Sequence, residues 1–131
     1  GADGELGSLW KSGSGINWLM DQLSNQDPDE TVLNVFICVG TNGGFNLNDP
    51  IDKLVKLTKE KFPSATIHFI KGSFGWGGNI NLSEVDLVRY GQKFRSAGAN
   101  VLKNSIGKTT NPHQELSNYK LIADEIKYII Q

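Results

Sequence analysis

The sequence has few of the residues that build metal and redox sites. Its 131 residues include one cysteine, Cys38, and two histidines, His68 and His113. A single cysteine cannot form an internal disulfide or a thiolate zinc site, and no acidic cluster stands beside either histidine. We therefore expect no metal and no cofactor. Cys38 is interpreted as a small core residue, and His68 as a hydrogen-bonded histidine within a strand.

Charge of one sign and long apolar runs are also lacking. The formal net charge is −1, and the charged residues form no basic stripe that would bind nucleic acid. No apolar run approaches the roughly 20 residues of a membrane-spanning helix, and no signal peptide is recognisable. Gly43 and Gly44 are not followed by the Lys-Ser/Thr of a phosphate loop. The sequence thus predicts no nucleic-acid partner and no membrane span, and it indicates no compartment.

A single domain is the expectation for a chain of this length. Residues 1–15 are rich in glycine and serine and are predicted to form an extended or looped segment ahead of a short helix at 16–24. Because the chain begins at Gly1 and not at a methionine, we expect processing or a cloning boundary there. The length predicts that residues 1–131 form one domain.

The apolar run Val32–Val39 is the segment around which we expect the fold to be organised. Its β-branched and aromatic residues stop at Gly40, which is typical of a parallel strand buried on both faces. Further strands are predicted at 66–70 and Val101–Leu102, and loops at 71–79 and 105–112.

Helix starts and ends are marked by capping residues. Asp49 and Pro50 would open one helix as its N-cap and first helical residue. Ser83 with Asp86 resembles a capping box that opens the next helix, which Gly98 would close. Both helices lie between predicted strands.

The apolar spacing assigns a buried face to the last two helices. Val85, Val88 and Phe94 are predicted to be buried on the first of them. On the second, which runs to Ile130, the spaced apolar residues are Tyr119, Ile122, Ile126 and Ile129. Strands that alternate with helices predict an α/β fold with three α/β/α layers around a parallel sheet.

Candidate site residues follow the first and the last predicted strand. Gly40, Thr41 and Asn42 come directly after the Val32–Val39 strand, and His113 lies in the loop after the last strand. Ligands of open α/β sheets bind outside the carboxyl ends of the strands, so these residues are expected to face one crevice. The alternative is a plain turn, in which glycine and asparagine only supply positive φ angles.

Three short motifs, taken in order, resemble those of the SGNH (GDSL-type) hydrolases. The Gly-Thr-Asn-Gly of 40–43 resembles the family's Gly-x-Asn-Asp block. The Thr-Asn-Pro-His of 110–113, with Tyr119 and Ala123 after it, is similar to its Asp-x-x-His block and trailing helix. Ser12-Gly13 is similar to its glycine block. By order and spacing the resemblance covers nearly the whole chain, and it implies a flavodoxin-like sheet.

The resemblance implies a serine esterase. In that family a serine attacks an ester carbonyl, a histidine takes its proton, and backbone N–H groups and an asparagine hold the oxyanion. Carried over, His113 is the base, while Asn42 and the Gly13 backbone are oxyanion donors. Gly40, Thr41 and Trp76 would contact the substrate, and Phe74 and Trp76 could form an apolar or sugar-stacking wall or simply pin their loop.

The sequence departs from the family at three points. Thr110 stands where the family has the aspartate that orients the histidine, and Gly43 stands where its asparagine block ends in aspartate. The strand and block that carry the nucleophile in that family have no counterpart in this sequence, so the fold is expected to be incomplete at its N-terminus. Ser8 is a weak candidate because no strand precedes it, and Ser12 and Ser14 are more typical of turns and caps.

A missing nucleophile strand would leave Val32–Val39 as an apolar sheet edge, which soluble proteins avoid. Another chain could supply the strand, Gly1–Lys11 could fold back onto the edge, or an oligomer could cover it. Two functions follow as hypotheses. The first is an esterase for acyl or acetyl esters of lipid or carbohydrate, with its serine supplied by a separate chain. The alternative is a non-catalytic module for assembly or glycan binding, and activity itself stays open.

Overall fold

Helices and strands alternate along the chain in the computed structural model. It describes residues 15–76, 80–108 and 116–131. The elements are α1 (Ile16–Ser24), β1 (Asn34–Ile37), a 3₁₀ turn (Thr41–Gly43), α2 (Ile51–Lys61), β2 (Thr66–Trp76), β3 (Ile80–Asn81), α3 (Glu84–Ser96), β4 (Asn100–Lys108) and α4 (Leu116–Ile130). This order confirms the predicted α/β class.

Strand β2 is the centre of the sheet. It pairs in parallel with β1, from Asn34 opposite Thr66 to Ile37 opposite Phe69. On its other side it pairs in parallel with β4, with two irregularities in register. The short β3 adds an antiparallel pair at the far end of β2. Among the described residues β1 pairs with β2 alone, so it is an edge strand.

Two faces of the sheet are covered by different helices. Helices α1, α2 and α3 contact one another in a row, and α3 packs on β2 and β4. Their apolar side chains form one core cluster with Ile37, Ile67 and Phe69 of the sheet. Leu102 and Ile122 are buried outside that cluster, because Leu102 points to the opposite face, where α4 packs on β4. These are the three predicted layers.

Aromatic rings fill the centre of the core under α3. Phe69 of β2 stacks on Phe94 with ring centroids 4.2 Å apart. The ring centroid of Tyr90, one helical turn earlier, lies 5.7 Å from that of Phe94 and 5.8 Å from that of Phe69. All three side chains are completely buried. The aromatic cluster therefore joins the central strand to α3.

The prediction for the buried face of α3 was wrong for two residues. Val85 is 58% exposed and Val88 47% exposed, whereas Phe94 is buried as predicted. The buried face is instead formed by Leu87, Tyr90, Gly91 and Phe94. Gly91 lets α3 approach the sheet, since an added Cβ would lie 3.5 Å from Val101. A valine stripe at this spacing cannot share a helix face with Phe94.

Both predicted loops, the glycine-rich one at 71–79 and the polar one at 105–112, are partly strand. β2 continues through residues 71–76, and β4 through residues 105–108. The two stretches pair with each other, at Lys71 opposite Ser105 and at Ser73 opposite Gly107. Inter-strand hydrogen bonds compensate there for the weak strand propensity of glycine. The capping residues Ser83 and Gly98 are confirmed, because Ser83 Oγ accepts from the Asp86 amide at 3.2 Å and Gly98 has a φ of 105° after the helix.

Candidate functional site

A tight loop, Gly40–Phe45, follows the carboxyl end of β1. The amides of Gly43 and Phe45 both donate to the Gly40 carbonyl, at 3.1 and 2.9 Å. Gly40 and Gly44 have φ angles of 107° and 70°, so the glycines serve the turn that the alternative interpretation predicted. Asn42 lies at the tip of this loop and is exposed to solvent. The loop therefore presents an amide side chain at the edge where ligands of α/β sheets bind.

Tyr90 supports this loop from the core. A Cβ on Gly40 would lie 2.8 Å from the Tyr90 ring and 3.1 Å from the Phe45 ring, so the two rings occupy the space of a side chain. The rings of Phe45 and Tyr90 meet edge to face with centroids 5.8 Å apart. Phe45 is buried and has a φ of 53°, the one positive value among described non-glycine residues. The loop conformation is thus fixed from inside the fold.

The predicted N-cap role of Asp49 was wrong. Helix α2 begins at Ile51, with Pro50 in the N-cap position and no side-chain capping bond. The Asp49 carboxylate instead accepts a hydrogen bond of 2.6 Å from the Tyr90 hydroxyl. Burial, reinforced by this bond and by the charge of Asp49, raises the pKa of Tyr90 far above its ordinary value. Tyr90 is therefore a permanent donor to Asp49.

Thr41 links the loop to the central strand. Its hydroxyl donates to the Ser73 carbonyl at 3.1 Å. Gly72 makes room for this contact, since a Cβ there would lie 2.6 Å from Thr41 Oγ1 and 3.5 Å from Cys38 Sγ. The contact ties the carboxyl ends of β1 and β2 together. Thr41 thus holds the loop against β2 with the hydroxyl that the resemblance would aim at substrate.

The prediction that Cys38 lies inside a buried strand was wrong. β1 ends at Ile37, and Cys38 is accessible to solvent in the opening that follows. Protein atoms still surround that opening, and the resulting desolvation raises the pKa of the thiol to about 11. Cys38 therefore stays protonated near neutral pH, and a protonated thiol is a poor nucleophile.

Helix α4 carries one side chain that interacts electrostatically with Cys38. Desolvation, together with the charge of a Cys38 thiolate, raises the pKa of the Tyr119 hydroxyl. Tyr119 belongs to the first turn of α4, so that turn lies within electrostatic range of the residue after β1. The chain between β4 and α4, residues 109–115, contains His113.

Several predicted site residues fall outside the described part of the chain. These are His113, Gly13, Ser8, Ser12, Ser14 and Thr110. Trp76 is described only as the last residue of β2, paired with Ile80. Gly40, Thr41 and Asn42 are the predicted site residues that the structure describes together, in the loop after β1.

A polar cluster between β1 and the central strand β2 includes His68. Its Nε2 lies 2.9 Å from Asn34 Oδ1, and its ring stacks on Phe36 at 4.7 Å between centroids. The side chain is buried, and desolvation lowers its pKa. This confirms the interpretation of His68 as a hydrogen-bonded histidine of the sheet.

Glu125 of α4 makes a second cluster, which the sequence analysis missed. Its carboxylate accepts from the amides of Lys103 and Asn104 at 2.7 and 3.0 Å, and from Asn104 Nδ2 at 2.9 Å. Both amides lie where the register of β4 against β2 shifts. Only the irregular strand exposes two successive amides to one side, so sequence alone carried no signal for this contact.

No group of His, Cys, Asp and Glu side chains within residues 15–76, 80–108 and 116–131 could hold a metal ion. None of the helices in those ranges has the length and apolar character to cross a membrane.

Comparison of the chain with protein-family models, with curated proteins and with solved structures gives no significant match.

Proposed function

We propose that this chain is an SGNH-like esterase domain that hydrolyses acyl or acetyl esters of lipid or carbohydrate, with its serine supplied by a separate chain. The observation that carries the proposal is the Gly40–Phe45 loop. It holds Asn42 in solvent at the carboxyl end of β1, in a conformation fixed by Tyr90 and Phe45. A fixed side-chain donor at this edge suits an oxyanion site.

The described neighbours of the loop also suit a histidine base at the same edge. Tyr119 in the first turn of α4 lies within electrostatic range of Cys38, which precedes Gly40 by two residues. His113 precedes Leu116, the start of α4, by three residues, a stretch that spans at most about 10 Å. The chain length therefore allows His113 and Asn42 to face one ester.

Each residue has a defined role in the proposed reaction. His113 takes the proton of the serine hydroxyl as that oxygen attacks the ester carbonyl, and gives it to the leaving alcohol, which leaves an acyl-enzyme. His113 then takes a proton from the water that attacks this acyl-enzyme, and returns it to the serine oxygen as the carboxylic acid leaves. The Asn42 amide and the Gly13 N–H donate to the oxyanion that develops on the carbonyl oxygen. In comparable hydrolases one such donor contributes about 3 to 4 kcal/mol to the barrier reduction.

The edge of the sheet supports the part of the proposal that concerns a second chain. In the described part of the chain β1 pairs with β2 alone, and Leu33 beside it is 65% exposed. Free apolar strand edges favour pairing with another strand. A parallel strand added beside β1 would end next to the Gly40–Phe45 loop, which is where a nucleophile must stand to use Asn42.

Turnover of an aryl acetate by the protein, assembled in its native source, tests the proposal. Asn42→Ala should lower kcat by about 100-fold or more, and His113→Ala should abolish turnover. Asn48→Ala is the matched control, because Asn48 is an exposed asparagine of the same connection and should leave turnover unchanged. Unchanged turnover in both Asn42→Ala and His113→Ala would overturn the proposal.

The second candidate is a non-catalytic module that serves assembly or glycan binding. The β1 strand, which pairs with β2 alone among the described residues, and the exposed Leu33 favour it, as do Thr110 and Gly43 at the two family aspartate positions. A folded, assembled protein that hydrolyses no aryl acetate would support this candidate. Turnover that disappears with Asn42→Ala would exclude it.

A further inference from the structure

Tyr90 contacts both ends of the connection between β1 and α2. Its ring fills the space above Gly40, at the start of the connection, as the 2.8 Å distance to an added Cβ shows. Its hydroxyl donates to Asp49 Oδ2 at 2.6 Å, one residue before the N-cap of α2. One buried side chain of α3 thus connects two points that are nine residues apart in sequence.

The residues between these points carry Asn42. Gly43, Gly44 and Phe45 return their amides to the carbonyls of Gly40 and Thr41, so the loop closes on itself directly above the Tyr90 ring. Phe45 packs its own ring against Tyr90 and adopts a φ of 53°, which costs free energy that the surrounding contacts must offset. Loss of the contact at Asp49 would release the far end of the connection, four residues beyond Phe45.

We propose that Tyr90 is a positioning residue for the oxyanion site: through its hydrogen bond to Asp49 it fixes the Gly40–Phe45 loop and hence the direction of the Asn42 amide. This inference rests on the proposed role of Asn42. Tyr90 is completely buried and touches no substrate. Its hydroxyl is the informative atom, because phenylalanine would keep the ring under Gly40 and remove only the donor to Asp49.

Amide hydrogen exchange of the full chain tests the positioning directly with Tyr90→Phe. We expect the amides of Gly43 and Phe45 to exchange about tenfold faster, because the variant loses the partly buried hydrogen bond from Tyr90 to Asp49. The amides of Ile67 and Phe69 in β2 should change by a smaller factor. Tyr128→Phe is the control for removal of a phenol hydroxyl, because Tyr128 is 80% exposed, and it should change neither set.

Turnover of an aryl acetate by the assembled protein provides the second readout. Tyr90→Phe should lower kcat about tenfold, in line with its effect on the loop, and leave KM unchanged. Asp49→Asn, which keeps an acceptor without the charge, should have a smaller effect of the same kind. An altered KM with unchanged kcat would contradict a role in orienting the oxyanion donor.

The failure of this inference is distinguishable from failure of the proposed function. Loop amides that exchange as in the unmodified chain, or that accelerate only as much as the β2 amides, would overturn the positioning role. If Asn42→Ala leaves turnover unchanged, the proposed function fails, while the exchange rates still decide whether Tyr90 fixes the loop.

Discussion

The two faces of the sheet are stabilised in different ways. Under α1, α2 and α3 the contacts are apolar, and the stacked rings of Phe69 and Phe94 lie at their centre. On the α4 side and at β1, buried or half-buried side chains are paired through hydrogen bonds, as in His68 with Asn34 and Glu125 with Asn104. Apolar burial supplies most of the favourable free energy of folding. The hydrogen bonds contribute less, but they fix the position of β1 against β2 and of α4 against β4.

The position of the candidate site follows from this difference between the two faces of the sheet. The Gly40–Phe45 loop rests on the apolar side, because Phe45 and Tyr90 belong to that core. Cys38 and Tyr119, which border the same opening, lie at the β1 edge and on α4. The candidate site therefore lies at the boundary between the apolar face and the polar face of the sheet.

The largest difference between the faces should appear with Phe94→Ala. Removal of this completely buried ring should lower the free energy of unfolding by about 3 to 5 kcal/mol. Leu121→Ala on α4 is the control, because Leu121 is 51% exposed and its loss should cost less than about 0.5 kcal/mol. Urea denaturation measures both, and equal losses would contradict the assignment of the core.

A smaller effect is expected from Glu125→Gln on the polar face. The variant loses the charge that accepts from the Lys103 and Asn104 amides, which should cost about 1 to 2 kcal/mol. Asp124→Asn is the neighbouring control, since its exposed pair with Lys120 should contribute about 0.3 to 0.5 kcal/mol. Urea midpoints at pH 7 would refute the Glu125 contact if both variants lose the same amount.

The Glu125 contribution should also depend on pH. Desolvation acts to raise the pKa of Glu125, but the hydrogen bonds from Asn104 and Lys103 outweigh it, so the net pKa is lowered. A carboxylate with a lowered pKa in the fold stabilises above its unfolded pKa and loses that contribution as pH falls through its folded value. The stability difference between the unmodified chain and Glu125→Gln should therefore shrink between pH 5 and pH 3. A constant difference would contradict ionisation as its cause.

The smallest effect is expected at His68. Desolvation lowers its pKa, so the unfolded chain binds a proton more readily than the folded one. Stability should then decline as pH falls from 7 through the folded pKa, by less than about 1 kcal/mol between pH 7 and 6. His68→Gln should remove this part of the slope, measured as urea midpoints over that range. An identical slope in the variant would assign the pH dependence to other groups.

Local patterns were sufficient to predict the helices. α1 lies at the predicted residues, and α4 uses the predicted spacing, with Ile122 buried. The buried face of α3 was also readable, because Leu87, Tyr90 and Gly91 precede Phe94 by seven, four and three residues. Val85 and Val88 lie on the opposite side of the helix from this stripe and are exposed.

Features that depend on distant partners could not be predicted from the sequence. The strand character of residues 71–76 depends on pairing with β4, and the role of Asp49 depends on a tyrosine 41 residues away. Cys38 is accessible because β1 ends one residue before it, and strand ends are set by pairing rather than by apolar character. The position of the loop that carries Asn42 was predictable, since it follows from the end of the apolar run at Gly40.

The source of the nucleophile can be tested with a fluorophosphonate probe that labels activated serines, applied to the protein from its native source, with the labelled residue located by mass spectrometry. We expect a label on a serine of a co-purifying chain, and loss of that label with His113→Ala. A label on Ser8, Ser12 or Ser14 would contradict the claim that another chain supplies the nucleophile. A folded, assembled protein without any label would contradict the esterase itself.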